Sequence, residues 1–294
     1  MIEVKYIDVT PGDATGYIAS YLVFSDRYTF IVETGPSSSV DKLLGGLEGH
    51  GLSLDDLDFI VVTHIHLDHG GGAGDLVSLN NSLKVYVHPR GYPHLNNPSK
   101  LWSASRSTLG EVALLYGEPK PIPLENLFST DDGYSIDLGD DVLEFIHTPG
   151  HASHHMSILL RDSGYIFTGD SAGINDGGYI IPVTPTPHNP EKAIDSIRRM
   201  LARSPRYACF THYGIYEGVE YLNKALHKWM WWRDYLYKLY RDGYSVDEAY
   251  RLLIEEDEDS RHMSMFYKRI GLGGDEIKIG IEGMYNYFRW VERG

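Results

Sequence analysis

Alternation of apolar and polar positions with period two runs through residues 2–9, 17–24 and 28–33 and predicts three strands. The last two are joined by the turn Ser25-Asp26-Arg27. Phe59 to Val62 is continuously apolar, the pattern of a strand buried on both faces. Shorter runs predict strands at Leu83 to Val87, Val142 to Ile146, Tyr165 to Phe167 and Tyr207 to Phe210. Helical spacing intervenes over Val40 to Leu47, capped from Ser37 to Ser39, and from about Gly74-Asp75. It returns at Ala193, Ile194, Ile197 and Leu201, behind the proline-rich stretch Pro182 to Pro190 and the cap Asn189. Strand, polar loop and helix follow one another in both halves, so the chain is read as α/β, two sheets face to face with helices outside.

Two stretches depart from that rhythm. Residues 88–125 begin turn-rich, and Leu101, Leu109, Val112 and Tyr116 then predict one amphipathic helix ended by Gly117 and Pro119. Such an insertion is expected to overlie a site and shape substrate choice. From about residue 217 strand patterns stop. Leu222, Leu226, Trp229, Leu236 and Leu239 lie near helical spacing, and Ser245 to Glu248 forms a capping box. Ile277, Ile281, Met284, Phe288 and Val291 make a further stripe, whereas Glu255 to Asp259 reads as an acidic turn. The division is therefore a sandwich over 1–216 and a helical extension over 217–294. Trp229, Trp231 and Trp232 are expected mainly in its core, with a pocket or homodimer contact as the alternative.

Charge narrows the partners. Lys plus Arg number 26 against 41 for Asp plus Glu, a net charge of −15. Such a balance disfavours nucleic acid and anionic membrane surfaces and leaves a small molecule as the expected partner. The single cysteine, Cys209, lies in an apolar strand and is expected to be a buried, inert thiol. Neither a leader pattern nor a run of about 20 apolar residues is seen, so a cytoplasmic location is expected. The absence of glutamine and the 22 tyrosines point to a heat-adapted source.

Candidate chemistry concentrates just after the strand at Phe59. His64-x-His66-x-Asp68-His69 places four possible metal ligands in six residues, followed by glycines that let the chain turn tightly. His64 and His66 can converge on one ion, leaving Asp68 and His69 for a second. Imidazole with carboxylate suits Zn²⁺, with iron or manganese as alternatives.

Thr63-His64-x-His66-x-Asp68-His69 resembles the signature of the metallo-β-lactamase fold hydrolases. Later blocks match in order: Thr148-Pro149-Gly150-His151, Phe167-Thr168-Gly169-Asp170 and Phe210-Thr211-His212. The resemblance covers about Ile2 to Gly214 and implies a four-layer αββα sandwich. It further implies His64, His66 and His151 on one metal ion, Asp68, His69 and His212 on a second, and Asp170 bridging both. Glu33-Thr34-Gly35 resembles an acidic turn that normally carries Asp, so Glu33 is expected to brace the metal loop, and His155 to orient the site from behind the ligands. His154 is expected in solvent.

Two divalent ions sharing a hydroxide would give a nucleophile at neutral pH. Asp68 would steer the water proton, Tyr213 and Tyr179 are candidate donors to an oxyanion, and His94 could reach the site from the insertion. The expected enzyme is a dinuclear hydrolase of a small ester, thioester or lactone, of the glyoxalase II and lactonase-like kind rather than a true β-lactamase. Ser171-Ala172-Gly173 departs from the Gly-Cys-Gly-Arg type segment that follows the bridging Asp in glyoxalase II, which counts against glutathione conjugates. The alternatives are a mononuclear iron persulfide dioxygenase using only His64, His151 and Asp170, and a phosphodiesterase.

Overall fold

The computed structural model describes residues 1–271 and 276–293. One six-stranded sheet has β1 (Glu3–Asp8), β2 (Ala19–Phe24), β3 (Thr29–Val32), β4 (Phe59–Val61), β5 (Lys84–Val87) and β6 (Leu127–Ser129) side by side in sequence order. β1 to β3 pair antiparallel, and β3 to β6 run parallel. The second contains β7 (Ser135–Asp137), β8 (Val142–His147), β9 (Met156–Leu160), β10 (Tyr165–Gly169), β13 (Tyr207–Phe210) and β14 (Gly214–Glu217), in the spatial order 14-13-10-9-8-7. Between them in sequence, β11 (Ile174–Asp176) and β12 (Tyr179–Ile181) form a separate hairpin.

Alternation of side chains explains the layering. Tyr21, Val23, Phe30, Val32, Phe59 and Val61 of the first sheet meet Leu143, Phe145, Ile158, Leu160 and Phe167 of the second in one buried cluster. Their neighbours Leu22, Ile31, Ile60, Ile146, Leu159 and Ile166 point the other way and belong to the cluster that includes the helices. Each central strand is thus buried on both faces, as the apolar run at Phe59 requires, and the architecture is the four-layer αββα sandwich. Cys209 is buried between the sheets.

The helices of the first half are α1 (Val40–Gly49), the short α2 (Leu67–Gly70) and α3 (Ala73–Leu79). The insertion is broken into α4 (Tyr92–Asn96), α5 (Ser99–Leu109) and α6 (Glu111–Tyr116). This corrects the single helix expected from periodicity. Gly110 adopts φ +57°, a left-handed conformation that ends α5 and restarts the chain in a new direction. α7 (Pro190–Leu201) is capped as its sequence predicts, the Asn189 side chain accepting from the Lys192 backbone.

The extension has four helices: α8 (Glu220–Arg241), α9 (Val246–Glu256), α10 (Glu258–Ile270) and α11 (Glu276–Glu292). The capping box at Ser245 and Glu248 forms as expected. The acidic segment does more than turn: the Asp257 side chain accepts from the Ser260 backbone and starts α10. Trp229 and Trp232 are buried, Trp231 stacks on Tyr235, and Val291 is exposed rather than part of the buried stripe. No helix among the described residues is long and apolar enough to cross a membrane.

Candidate metal centre

The loops that follow β4, β8, β10 and β13 carry the histidines and aspartates, and they meet at one edge of the sandwich. Backbone bonds stitch these loops together across the two sheets. The Met156 amide donates to the Thr63 carbonyl at 2.8 Å, Ala19 to Thr211 at 2.9 Å, and Thr34 to His69 at 2.8 Å. Gly169 is needed at the end of β10: its φ is +52°, and a Cβ there would meet Thr63 Oγ1 at 2.6 Å and His155 Nε2 at 2.5 Å.

Three imidazoles converge first. His66 Nδ1 stands 3.0 Å from His64 Nε2 and 2.9 Å from His151 Nε2. The far ring nitrogens fix the tautomers. His151 Nδ1 donates to the Val183 carbonyl at 3.0 Å, which leaves its Nε2 lone pair pointing inward. Thr63 Oγ1 donates to the Glu33 carboxylate, so it accepts from His64 Nδ1 at 3.1 Å, and the His64 Nε2 lone pair also turns inward. Burial pushes His64 well below the usual histidine range, with the His69 charge second; burial also pushes His66 and His151 down. His64 Nε2 and His151 Nε2 thus present lone pairs to His66 Nδ1, which can satisfy only one of them as a proton donor, whereas one cation would satisfy all three. Nitrogens around one tetrahedral zinc, at 2.0–2.1 Å each, stand roughly 3.3 Å apart. The donor set fits.

A second group lies beside the first. His69 Nε2 is 3.2 Å from Asp170 Oδ1 and 3.7 Å from Asp68 Oδ2, and His212 Nε2 is 3.5 Å from each of those oxygens. His212 Nδ1 donates to the Tyr17 carbonyl at 2.8 Å and His69 Nδ1 to Glu33 Oε1 at 2.9 Å, so both Nε2 atoms again face inward. His69 Nε2 and Asp170 Oδ1 are buried without a hydrogen-bond partner. Burial opposes charge on His69, but Asp170, Asp68 and Glu33 outweigh it and hold its imidazole well above the ordinary range. Burial likewise opposes charge on Asp68, yet His69 and His212 bring its carboxyl down to about 2. Asp170 is also held well below the usual range, His69 and His151 overcoming its burial.

Asp170 faces both groups. Its Oδ1 is toward His69 and His212, and its Oδ2 lies 3.5 Å from His151 Nε2 and 4.0 Å from His64 Nε2. Both triplets, His64 with His66 and His151 and Asp68 with His69 and His212, have ligand atoms close enough to hold an ion. Glu33 also lies within reach of His64 and His69, but its oxygens are engaged by Thr63, His69 and Thr211. It therefore stands behind the ligands, at φ +72°, tying three loops together. His155 Nδ1 pairs with Thr148 Oγ1 at 2.8 Å while its Nε2 accepts the Asp170 amide at 3.0 Å, orienting the shared aspartate.

The other anticipated side chains divide. His94 does line the cavity above the cluster. Tyr213 does not: its ring packs edge-on against Tyr6 at 5.3 Å, because it leaves β13 on the side of the inter-sheet core. Tyr179 also turns away and stacks on His262 at 3.9 Å. Neither lines the cavity, so neither is placed to meet an oxyanion there. His154 faces the cavity instead of solvent, where burial brings its imidazole down to about 3. Tyr17, Tyr116 and Tyr267 line the cavity instead, and the Tyr17 ring lies 4.4 Å from that of His212. Their separation in sequence, with no motif around any of them, gave no signal of this convergence.

The cavity itself is about 880 Å³. Asp68, His151, Asp170 and His212 are in its lining, with walls from α5, the Pro182–Asn189 segment and α11.

Comparison with known proteins agrees with this picture. Residues 14–212 match the family model described as the metallo-beta-lactamase superfamily. The metallo-beta-lactamase fold-containing protein ST1585 of Sulfurisphaera tokodaii is 31% identical over 199 residues, 66% of this chain and 72% of that one. Its crystal structure superposes with a TM-score of 0.67, covering 76% of this chain and 85% of that one at 28% identity. The metallo-beta-lactamase family protein TTHA1429 of Thermus thermophilus, at 19% identity, shares the fold over 98% of this chain and 94% of its own, with a TM-score of 0.68. An atrochrysone carboxyl ACP thioesterase of Aspergillus fumigatus is 27% identical over 184 residues, 61% of this chain but 35% of the longer relative. Because the matched region contains every one of the convergent histidines and aspartates, and a relative of similar extent shares nearly a third of it, this chain belongs to the metallo-β-lactamase superfamily.

Proposed function

We propose that the protein is a dinuclear metal-dependent hydrolase of a small ester, thioester or lactone. The observation that carries this reading is Asp170, whose two oxygens face separate ligand triplets. His64, His66 and His151 would hold one ion, Asp68, His69 and His212 the other, and Asp170 both, with zinc the first choice for so nitrogen-rich a set and iron or manganese compatible. Two such ions, when bound, supply a hydroxide nucleophile at neutral pH and polarise the oxygen under attack.

The chain's own residues do the rest. Asp68 lines the cavity and, unlike Asp170, faces only one of the two groups, so it is positioned to take and steer a proton. Leu101, Leu109, Val183 and Ile279 offer half-buried apolar surface for an acyl group. In this reading residues 1–216 are the catalytic sandwich, with 88–125 as the insertion over the site and 217–294 as the helical unit closing the cavity. The thioesterase name of one fungal relative supports an acyl substrate.

Metal analysis of repleted protein beside an ester, thioester, lactone and phosphodiester panel tests the proposal. Two equivalents of metal with turnover of an acyl substrate in the absence of oxygen is the expected result. One equivalent with oxygen-dependent turnover would replace it by the dioxygenase, and turnover of the phosphodiester alone by a phosphodiesterase.

A further inference from the structure

The cavity is charged differently from the chain that builds it. The protein carries a net −15, yet Arg90, Lys100 and Lys192 all stand in the cavity lining. They come from three separate places: the turn after β5, the first turn of α5 and the first turn of α7. Elsewhere some basic side chains are met by acids, as Arg161 and Arg203 are by Glu144, and Lys224 and Lys228 by Asp259, while others such as Lys238 stand on the outer surface with no such partner among the described residues. None of the three cavity cations has a carboxylate within 4.0 Å among the described residues. Their backbones are nevertheless anchored where the side chains start. The Arg90 amide donates to His88 Nδ1 at 3.0 Å, and the Lys192 amide to Asn189 Oδ1 at 3.0 Å.

The lining has carboxylates as well, but their places are accounted for. Asp68 and Asp170 belong to the ligand cluster. Glu276, at the first turn of α11, lies within electrostatic reach of Tyr17, Tyr116 and Tyr267, on the tyrosine wall. Three cations from separate elements, each exposed to solvent where it borders one concave space, make the potential at its mouth positive relative to the rest of the surface. In a chain this acidic, an anionic substrate is repelled at long range unless such a local field draws it in. A neutral substrate needs no such arrangement.

We propose that Arg90, Lys100 and Lys192 form an anion-recognising subsite that holds a carboxylate or phosphate on the non-reacting end of the substrate. The scissile acyl bond then lies over the histidine and aspartate cluster. This deepens the hydrolase reading and rests on it for the identity of the reacting bond. The cavity, at about 880 Å³, has room for both ends of such a molecule.

The test uses phenyl esters of one five-carbon acid whose far end is a primary amide, a carboxylate or a phosphate monoester. The readout is the ratio of kcat/KM for each anionic ester to that for the neutral one. Wild-type enzyme should favour an anionic member, and whichever of carboxylate or phosphate is preferred identifies the group. Each of Arg90→Gln, Lys100→Gln and Lys192→Gln should lower the ratio about twofold to fivefold, and the triple variant by about tenfold or more, carried by KM. Raising salt should lower the wild-type ratio and not that of the triple variant. Lys238→Gln, an exposed charge on α8, controls for net charge and should leave the ratio where it is. A wild-type ratio near one for both anions, or a ratio that survives the triple substitution, would overturn the proposal. Calorimetric titration of the three product acids separates the two readings. If none of these esters, nor the thioester and lactone of the panel, is hydrolysed, the hydrolase assignment fails. The subsite then stands if the triple variant loses affinity for the dicarboxylic or the phosphate-bearing acid relative to the amide acid, and falls if it does not.

Discussion

His69 Nδ1 lies 2.9 Å from Glu33 Oε1, and this contact joins the end of β3 to the metal loop after β4. Glu33 is fully buried and reaches two ligand-bearing loops at once, the one after β4 and the one after β13. Its carboxylate accepts from the Thr63 backbone at 3.1 Å, from Thr63 Oγ1, and from Thr211 Oγ1 at 3.3 Å, one residue before His212. The contact also fixes the His69 tautomer, leaving Nε2 free to face Asp170.

Glu33→Ala should therefore weaken metal binding without removing a ligand. Loss of such a supporting partner typically costs 10–100-fold in metal affinity. Competition against a chromophoric chelator measures it directly. Unchanged affinity would mean that the ligand loops hold their shape without the carboxylate.

The second ligand group can be removed separately. His69→Ala or His212→Ala deletes one of the imidazoles beside Asp68, while His64, His66 and His151 remain together. Metal content should fall from two equivalents toward one, and kcat/KM by roughly 10²-fold or more. Elemental analysis and anaerobic kinetics on the same preparation are the measurements. Persistence of full oxygen-dependent activity in both variants would favour the mononuclear dioxygenase.

The fold and the first cluster of candidate metal residues were legible because both are written locally. Apolar runs such as Phe59 to Val62 announce strands buried on two faces, and the His64 to His69 spacing brings ligands together whatever follows. What escaped was set by tertiary contact. Gly110 could have continued a helix or broken it, and its left-handed φ decides for a break. Glu255 to Asp259 looked like a turn because acidic residues crowd it, although Asp257 in fact caps α10. Tyr213 directly follows His212 in the turn after β13, yet its ring packs against Tyr6, a contact that adjacency in sequence does not reveal. Tyr17, Tyr116 and Tyr267 reach the cavity from three distant segments, which no local spacing encodes.

The wall made by α11 depends on one glycine. A Cβ on Gly283 would lie 1.8 Å from the Thr184 carbonyl oxygen, a backbone atom of the segment that lines the cavity. Gly283→Ala must push α11 and that segment apart, at a cost of about 1–3 kcal/mol, the range for an overpacked interior. Urea denaturation should show that loss. KM should rise and kcat should fall with it, because the displaced segment also carries the Val183 carbonyl that orients His151. A variant as stable as wild type would show that the two segments can separate freely.

His188 gives a pH dependence of stability whose sign can be stated in advance. It lies beside the same wall, with Nε2 3.3 Å from Met284 Sδ and Nδ1 buried without a hydrogen-bond partner. Burial, and to a lesser extent the charge of His151, brings its imidazole down to about 3 in the folded protein. In the unfolded chain it titrates near the ordinary 6.5. Between those values the unfolded state binds a proton that the folded state refuses, so stability falls as pH drops from about 6.5 toward 3. Above that window both states carry a neutral ring and the group contributes no slope. His188→Phe keeps a ring of similar size and removes the proton. The stability difference between variant and wild type should therefore move in the variant's favour on acidification, by at most ~1.4 kcal/mol per pH unit within the window. Urea denaturation at fixed ionic strength from pH 8 to pH 4 measures that difference. Curves that stay parallel throughout would show that His188 accepts its proton equally well in the folded protein.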